Sequence, residues 1–130
     1  VVLSSDPIHH PHIVEPTNAI IMSQGAYTKY VPNLASGGLL LIDNGLVLLP
    51  DEHRQDIITH GLPATKIAED LGNNRAANTV MLGFWTAIAG FVSREAMRES
   101  VADSVPPKTI DVNMKAFDVG YDEGLRIARS

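Results

Sequence analysis

Apolar positions along this chain fall into two regimes. In the first half they come as short, nearly unbroken runs at 1–4, 19–22, 39–42 and 47–49, with a further strand-like stretch at 57–60. An unbroken run, rather than alternation with polar residues, is how a strand reads when both faces of its sheet are covered, as in a parallel α/β sheet. The runs are punctuated by turn residues at Asp6-Pro7, Ser23-Gln24-Gly25, Ser36-Gly37-Gly38, Asp43-Asn44-Gly45 and Gly61-Leu62-Pro63. A short helix is expected over 26–30, broken at Pro32. From residue 64 onward the pattern turns helical. Residues 64–71 predict a helix stopped by Gly72, and Ser93 is placed to cap a helix over 94–104 with Glu95 in its first turn. Beyond Pro106-Pro107, Thr109 is a plausible cap for a last helix. Its stripe is Ile110, Met114, Phe117, Tyr121, Leu125 and Ala128. Gly120 and Gly124 are expected to weaken that helix by about 1 kcal/mol each relative to Ala.

The stretch between these regimes, residues 73–97, holds no charge between Arg75 and Arg94 and is apolar on nearly every face. A helix of that kind is buried in a core, buried between subunits, or in a membrane. Asn78, Thr79 and Thr86 interrupt it, Ala and Gly dilute it, and no second apolar run stands ready to pair with it. A membrane span is therefore not expected. Gly83, Ala87 and Gly90 predict a face of small residues packed closely on the sheet or on a partner subunit, with Trp85 as a core or interface anchor.

Strands followed by helices predict an α/β domain, residues 1–130 as one domain, with a mostly parallel sheet in a three-layer α/β/α arrangement and a helical C-terminal half. A chain of 130 residues has room for a substantial core. Ten basic against fifteen acidic residues give a net charge of −5, and without a basic stripe nucleic acid is not an expected partner. The chain has no cysteine, which excludes disulfides, thiol catalysis and cysteine-held zinc or iron–sulfur clusters on this polypeptide and accords with a reducing cytoplasm. It opens on Val1-Val2-Leu3-Ser4, with neither an initiator Met nor a signal peptide, and the expectation is that a preceding segment is missing.

Candidate chemistry is sparse. Neither of the glycine-rich phosphate-binding patterns occurs, nor a nucleophile elbow. Ser4, Ser23, Asp43 and His60 can be drawn together as a triad, but a domain of this size offers such sets without catalytic meaning. Asp51-Glu52-His53 reads as a solvated loop, and Tyr27 and Tyr30 as packing residues. His9, His10 and His12 surround Pro11, which breaks the spacing a helical metal site uses, so an exposed loop is expected and no metal site is assigned.

What the residues do not name by chemistry, their order does by likeness. The run Ala64-Thr65-Lys66-Ile67-Ala68-Glu69-Asp70-Leu71-Gly72-Asn73, then Ala77-Asn78-Thr79-Val80-Met81-Leu82-Gly83, then Gly90-Phe91-Val92-Ser93-Arg94-Glu95, resembles the gamma subunit of 2-oxoacid:ferredoxin oxidoreductases. The stretches 23–30 (SQGAYTKY), 37–43 (GGLLLID) and 113–124 (NMKAFDVGYDEG) resemble further segments of that family, in the family's order. The family's N-terminal segment, with a glycine-rich turn after its first strand, has no counterpart here, so the resemblance extends to the larger C-terminal part of the family domain.

The resemblance implies oxidative decarboxylation of a 2-oxoacid such as pyruvate or 2-oxoglutarate to an acyl-CoA and CO2, with electrons passed to ferredoxin, in anaerobic metabolism. No cofactor is expected on this chain. Thiamine diphosphate, Mg2+ and iron–sulfur clusters are expected on partners: thiamine-binding alpha and beta subunits and a ferredoxin-like delta subunit. No catalytic residue is expected here, because the gamma chain resembles a structural and interface element that can border the coenzyme A side of the site. Crevices in α/β sheets form beyond the carboxyl ends of strands, which singles out Ser23, Gln24, Gly25 and Asn44 as candidate contacts. The competing reading is a stand-alone α/β domain that binds a small molecule without catalysis. Zn2+ or Ni2+ added to the purified chain is expected to leave its melting temperature unchanged; a clear rise would establish a metal site at His9, His10 and His12.

Overall fold

The computed structural model describes residues 2–3, 17–50, 53–90 and 92–128; His9, His10 and His12, the Asp6-Pro7 turn, and Asp51 and Glu52 lie outside the described residues. The chain divides into two compact units, Val1–Leu62 and Pro63–Ser130. The first carries a four-stranded sheet in the order β1-β2-β3-β4: β1 is Val2–Leu3, β2 Asn18–Ile21, β3 Leu39–Asp43 and β4 Ile58–Leu62. β2, β3 and β4 are mutually parallel, and β1 pairs antiparallel with β2. The α/β class, the mostly parallel sheet and the helical C-terminal half follow the pattern of apolar runs.

The register explains the unbroken runs. Ala19 lies opposite Leu40 and Ile21 opposite Ile42, while Ile20 lies opposite Leu41 on the other face, and all six are buried. Ala19, Ile21, Leu40 and Ile42 pack with Tyr27, Val31, Leu34 and Val47 into one core cluster. Tyr27 belongs to α1 (Gln24–Tyr30), which a short 3₁₀ turn over Val31–Asn33 continues. β4 is one of the two edge strands, and its first residue, Ile58, is 55% exposed.

The expected strand at 47–49 does not form. The chain makes a tight turn after β3, with Leu46 and Val47 both donating to the Asp43 carbonyl (3.0 and 2.9 Å), and continues as irregular backbone. Val47 is buried in the core, whereas Leu46, Leu48 and Leu49 are exposed. Their apolar character therefore marks a loop with one anchoring side chain.

The second unit is wholly helical: α2 Ala64–Asp70, α3 Ala77–Ala89, α4 Arg94–Ser104 and α5 Ile110–Ala128. Gly72 ends α2 in the left-handed region at φ +95°. Its N–H bonds to Glu69 O and that of Asn73 to Ala68 O, the paired pattern of a glycine-closed helix end. Ser93 caps α4 through Ala96 N (3.1 Å). Thr109 does not cap α5; it lies in a 3₁₀ turn, and its hydroxyl donates to Pro106 O at 2.8 Å.

The expected helix at 73–97 is shorter than its apolar run. α3 stops at Ala89, because Gly90 takes φ +73° and closes the helix end with its N–H on Thr86 O. Gly90 is thus the terminator of α3, with open space around it in this chain. Gly83 does pack closely, but its neighbour is α5 of the same chain. A methyl group at Gly83 would collide with the Phe117 carbonyl oxygen and come within 3.0 Å of Tyr121 N. One at Gly120 would collide with the Val80 carbonyl oxygen and come within 3.1 Å of Phe84 N. Gly124 meets Ala87 Cβ in the same way, at 2.7 Å. Thr79 starts this seam by donating to Asn113 Oδ1 (2.6 Å), and Asn113 in turn donates to Thr109 O (2.9 Å).

The buried side of α5 is therefore Asn113, Ala116, Phe117, Gly120 and Gly124, not the large-residue stripe, of which only Phe117 is buried. α4 is fastened to α5 by Arg98, whose fork grips Asp118 at 2.9 and 3.0 Å, and by Arg94, which bonds Asp118 at 3.0 Å and lies over the Tyr121 ring. Burial works to raise the pKa of Asp118, but the bonds from Arg98 and Arg94 outweigh it and hold the carboxyl below the ordinary aspartate range.

Gly120→Ala is expected to cost about 1–3 kcal/mol in urea denaturation, because the added carbon meets backbone that cannot swing aside. Gly25→Ala, where nothing stands within 4 Å of the added carbon, is the control and should be neutral or stabilising by up to about 1 kcal/mol. Equal effects of the two would refute the seam.

Candidate functional site at the carboxyl edge of the parallel sheet

Parallel strands bring their carboxyl ends to one edge, where backbone emerges that the ladder no longer occupies. Here the edge is built from the β2–α1 junction and the turn after β3, within the first unit. Ser23, in extended backbone, caps α1 by accepting from Ala26 N at 3.1 Å. Gln24 follows, and its carboxamide clamps a residue 24 positions on: Nε2 donates to Leu48 O (3.1 Å) and Oε1 accepts from Leu48 N (2.8 Å). The loop at 47–50 is thereby held against α1 without strand pairing. Gly25 is exposed with open space where a side chain would be.

Asp43, the last residue of β3, is fully buried, and its Oδ1 accepts from Gly45 N at 3.0 Å. Asn44 is exposed. Its N–H extends the ladder to Leu62 O (3.1 Å), and its carboxamide makes no hydrogen bond with the described residues. Gly61 on β4 lets this turn lie close, since a side chain there would stand 3.2 Å from Asn44 Cβ.

The structure therefore brings Ser23, Gln24, Gly25 and Asn44 to one edge, but in different chemical conditions. Ser23 and Gln24 are occupied by structural hydrogen bonds; the Gly25 surface and the Asn44 carboxamide are open. Of the residues expected at an interface, Gly83 and Trp85 are buried in the helical unit, Ala87 faces Gly124, and Gly90 is the α3 terminator.

Beside this edge lies a cavity of about 370 Å³, walled by Tyr27, Val31, Pro32 and Pro50 and rimmed by Gln24, His53 and Arg54. It was not legible in the sequence, where residues 51–55, His53 and Arg54 among them, read as a charged surface loop. Arg54 Nη1 donates to Val31 O (2.8 Å) and Leu34 O (2.6 Å), while its Nε and Nη2 grip Asp56 at 2.8 and 2.6 Å. The only signal for this in the sequence was the short Arg54-Gln55-Asp56 spacing. His53 holds Pro50 O at 2.9 Å and faces Gln55 Nε2 at 3.1 Å. Burial raises the Tyr27 hydroxyl above its ordinary pKa, partly offset by Arg54.

The described residues do not fit a metal ion or cluster. The chain has no cysteine, and among the described residues no group of three or more His, Asp or Glu side chains is placed to hold a metal. No helix among the described residues is long and apolar enough to cross a membrane.

The fold is that of an α/β domain whose parallel strands end at one open edge. Comparison with known proteins is more specific. The chain belongs to the family described as pyruvate ferredoxin/flavodoxin oxidoreductase, whose sequence profile matches residues 1–123. It is 37% identical over 123 residues to the 2-oxoglutarate synthase subunit KorC of Methanocaldococcus jannaschii, covering 94% of this chain and 66% of that protein. It is 28% identical to the pyruvate synthase subunit PorC of Methanothermobacter thermautotrophicus, covering 85% of this chain and 61% of that protein. In structure it resembles the keto/oxoacid ferredoxin oxidoreductase gamma subunit of Geobacter sulfurreducens, with a TM-score of 0.79 and 33% identity over 86% of this chain and 66% of that one. The chain thus spans just under two thirds of these relatives. The resemblance to gamma subunits read from the ordered motifs is borne out.

Arg54 has a measurable signature at this site. Its hydrogen bond is the first cause that lowers the Asp56 carboxyl from 3.8 to about 2. A carboxyl depressed on folding contributes stability above its unfolded value, and that contribution is lost as pH falls from 3.8 through about 2. Carboxyl NMR should find the Asp56 midpoint near 2, moving up toward 3.8 in Arg54→Lys; an ordinary midpoint in the parent chain would contradict the fork.

Proposed function

We propose that this chain is the gamma component of a multi-subunit 2-oxoacid:ferredoxin oxidoreductase, which decarboxylates a 2-oxoacid oxidatively to an acyl-CoA and CO2 and passes the electrons to ferredoxin. The observation that carries this is the 37% identity to a 2-oxoglutarate synthase subunit across 94% of the chain. In this reading the chain is not catalytic by itself. Thiamine diphosphate, Mg2+ and the iron–sulfur clusters sit on partners, the thiamine-binding alpha and beta subunits and a ferredoxin-like delta subunit, in the reducing cytoplasm. The lack of cysteine and of converging metal ligands among the described residues supports that division.

Within the complex, the carboxyl edge of the sheet borders the coenzyme A side. Gly25 offers unshielded backbone and Asn44 a free carboxamide with donors and an acceptor, while Ser23 caps the helix that carries Gly25 and Gln24 holds the loop at Leu48. Trp85 and the Gly83–Ala87 face support assembly indirectly, by fixing the helical unit. The choice of 2-oxoacid rests with the partners, since relatives of this one chain carry the names of both 2-oxoglutarate and pyruvate enzymes. A second reading, a stand-alone small-molecule-binding domain, draws on the cavity beside Tyr27, which has the size and apolar walls of a ligand pocket.

Reconstitution separates the two. Co-expressed with its partner subunits, the chain should co-purify and be required for coenzyme A-dependent ferredoxin reduction by a 2-oxoacid, with no turnover alone. Asn44→Ala should raise the KM for coenzyme A by about three- to tenfold, the value of one hydrogen bond, with the KM for the 2-oxoacid unchanged. Turnover by the isolated chain, or tight ligand binding with no uptake into a complex, would overturn the proposal.

A further inference from the structure

We propose that Asn44 is a self-modification site, and that the Asp43 carboxylate keeps it closed in the folded chain. Asn44-Gly45 is the one Asn-Gly pair in the sequence. In such a pair the backbone nitrogen of the glycine can attack the asparagine side-chain carbonyl, because no Cβ on the following residue hinders ring closure. Both residues are exposed, and the Asn44 carboxamide makes no hydrogen bond with the described residues. The electrophile is therefore available.

What restrains the reaction is the nucleophile. Gly45 N donates to Asp43 Oδ1 at 3.0 Å, and Asp43 is fully buried and held in place. A carboxylate against that N–H disfavours the nitrogen's deprotonation, the step that makes it nucleophilic. The turn is locked as well: Leu46 and Val47 N–H close onto the Asp43 carbonyl, Asn44 N–H closes onto Leu62 O, and Gly45 does not have positive φ. Helix-like backbone of this kind keeps the attacking nitrogen away from the side-chain carbon of the preceding residue.

When the turn opens, a bond forms between Gly45 N and Asn44 Cγ, and the Cγ–Nδ2 bond breaks. The Gly45 proton leaves with the departing nitrogen as ammonia. Water then opens the succinimide at either carbonyl, yielding aspartate or isoaspartate; no oxidant or reductant is involved. The product adds a negative charge at the carboxyl edge of the sheet. In the isoaspartate form it also adds a backbone carbon where Asn44 N–H meets Leu62 O, so modification would disrupt the edge whatever ligand it serves. This holds independently of the function proposed above.

Peptide mapping by mass spectrometry, after the full chain is incubated at mildly alkaline pH, tests the inference. Conversion is expected at Asn44, at least roughly tenfold slower in the folded chain than in urea, the protection expected of a hydrogen bond to a charged group. Asp43→Ala, if folded by circular dichroism, should move the folded rate toward the rate in urea. If that variant fails to fold, hydrogen exchange of Gly45 N–H in the parent chain decides, since it must be protected by a similar factor. Equal rates in the folded chain and in urea, no conversion at Asn44 in urea, a folded Asp43→Ala that stays slow, or a freely exchanging Gly45 amide would each overturn the inference.

Discussion

Gly83 of α3 and Gly120 of α5 face each other with no side chain between them. The contact is nearly symmetric. Gly83 lies against the carbonyl of Phe117, three residues before Gly120, and Gly120 lies against the carbonyl of Val80, three residues before Gly83. Each glycine also approaches the N–H side of the residue after its counterpart, Tyr121 or Phe84. At such distances Cα–H groups point at carbonyl oxygens, a weak attraction that is not available where a Cβ holds two helices apart. From Thr79–Asn113 through Gly83–Gly120 to Ala87–Gly124 the two helices run in the same direction, so α4, which lies between them in sequence, must carry the chain back. Its Arg94 and Arg98 then fasten to Asp118 of α5. The helical unit is organised by this one backbone contact, and the large apolar residues Phe84 and Phe117 are buried around it.

The strand unit follows a different constraint. Its parallel strands are buried on both faces at Ile20 and Ile21 and at Leu40, Leu41 and Ile42, so the sheet opens at the edge where the strands end. That edge is made rigid by side chains acting on backbone: Ser23 on Ala26, Asp43 on Gly45, and Gln24 on Leu48. Groups committed to holding the edge are not available to a ligand. Gly25 has open space where a side chain would be, and the Asn44 carboxamide bonds to none of the described residues.

Much of the architecture was legible in the amino-acid order. Unbroken apolar runs announced buried parallel strands, and Gly72 and Ser93 marked helix ends, because those signals are local and each has one physical cause. The misreadings share a different origin. Gly120 and Gly124 read as weak points because helix propensity is a property of a helix alone, whereas their value lies in the partner they admit. The large-residue stripe on α5 misled for the same reason: a seam of small residues has no amphipathic signature. Residues 47–49 looked like a strand because one buried valine among exposed leucines cannot be told from a short apolar run. At the edge, the position of Ser23, Gln24, Gly25 and Asn44 was readable from strand ends, but which of them are free was not, since that depends on the distant Leu48. The cavity beside Tyr27 depends on Arg54 reaching back to Val31 and Leu34, a contact no spacing rule reports.

The central claim is that the helical unit is built on backbone contact between α3 and α5. Nuclear Overhauser spectroscopy of the labelled chain tests it most directly. Strong cross-peaks are predicted from the Gly120 α-protons to the Phe84 amide proton and from the Gly83 α-protons to the Tyr121 amide proton. If both are absent while contacts between side chains of the two helices are present, the helices are held apart by side chains and the account is wrong.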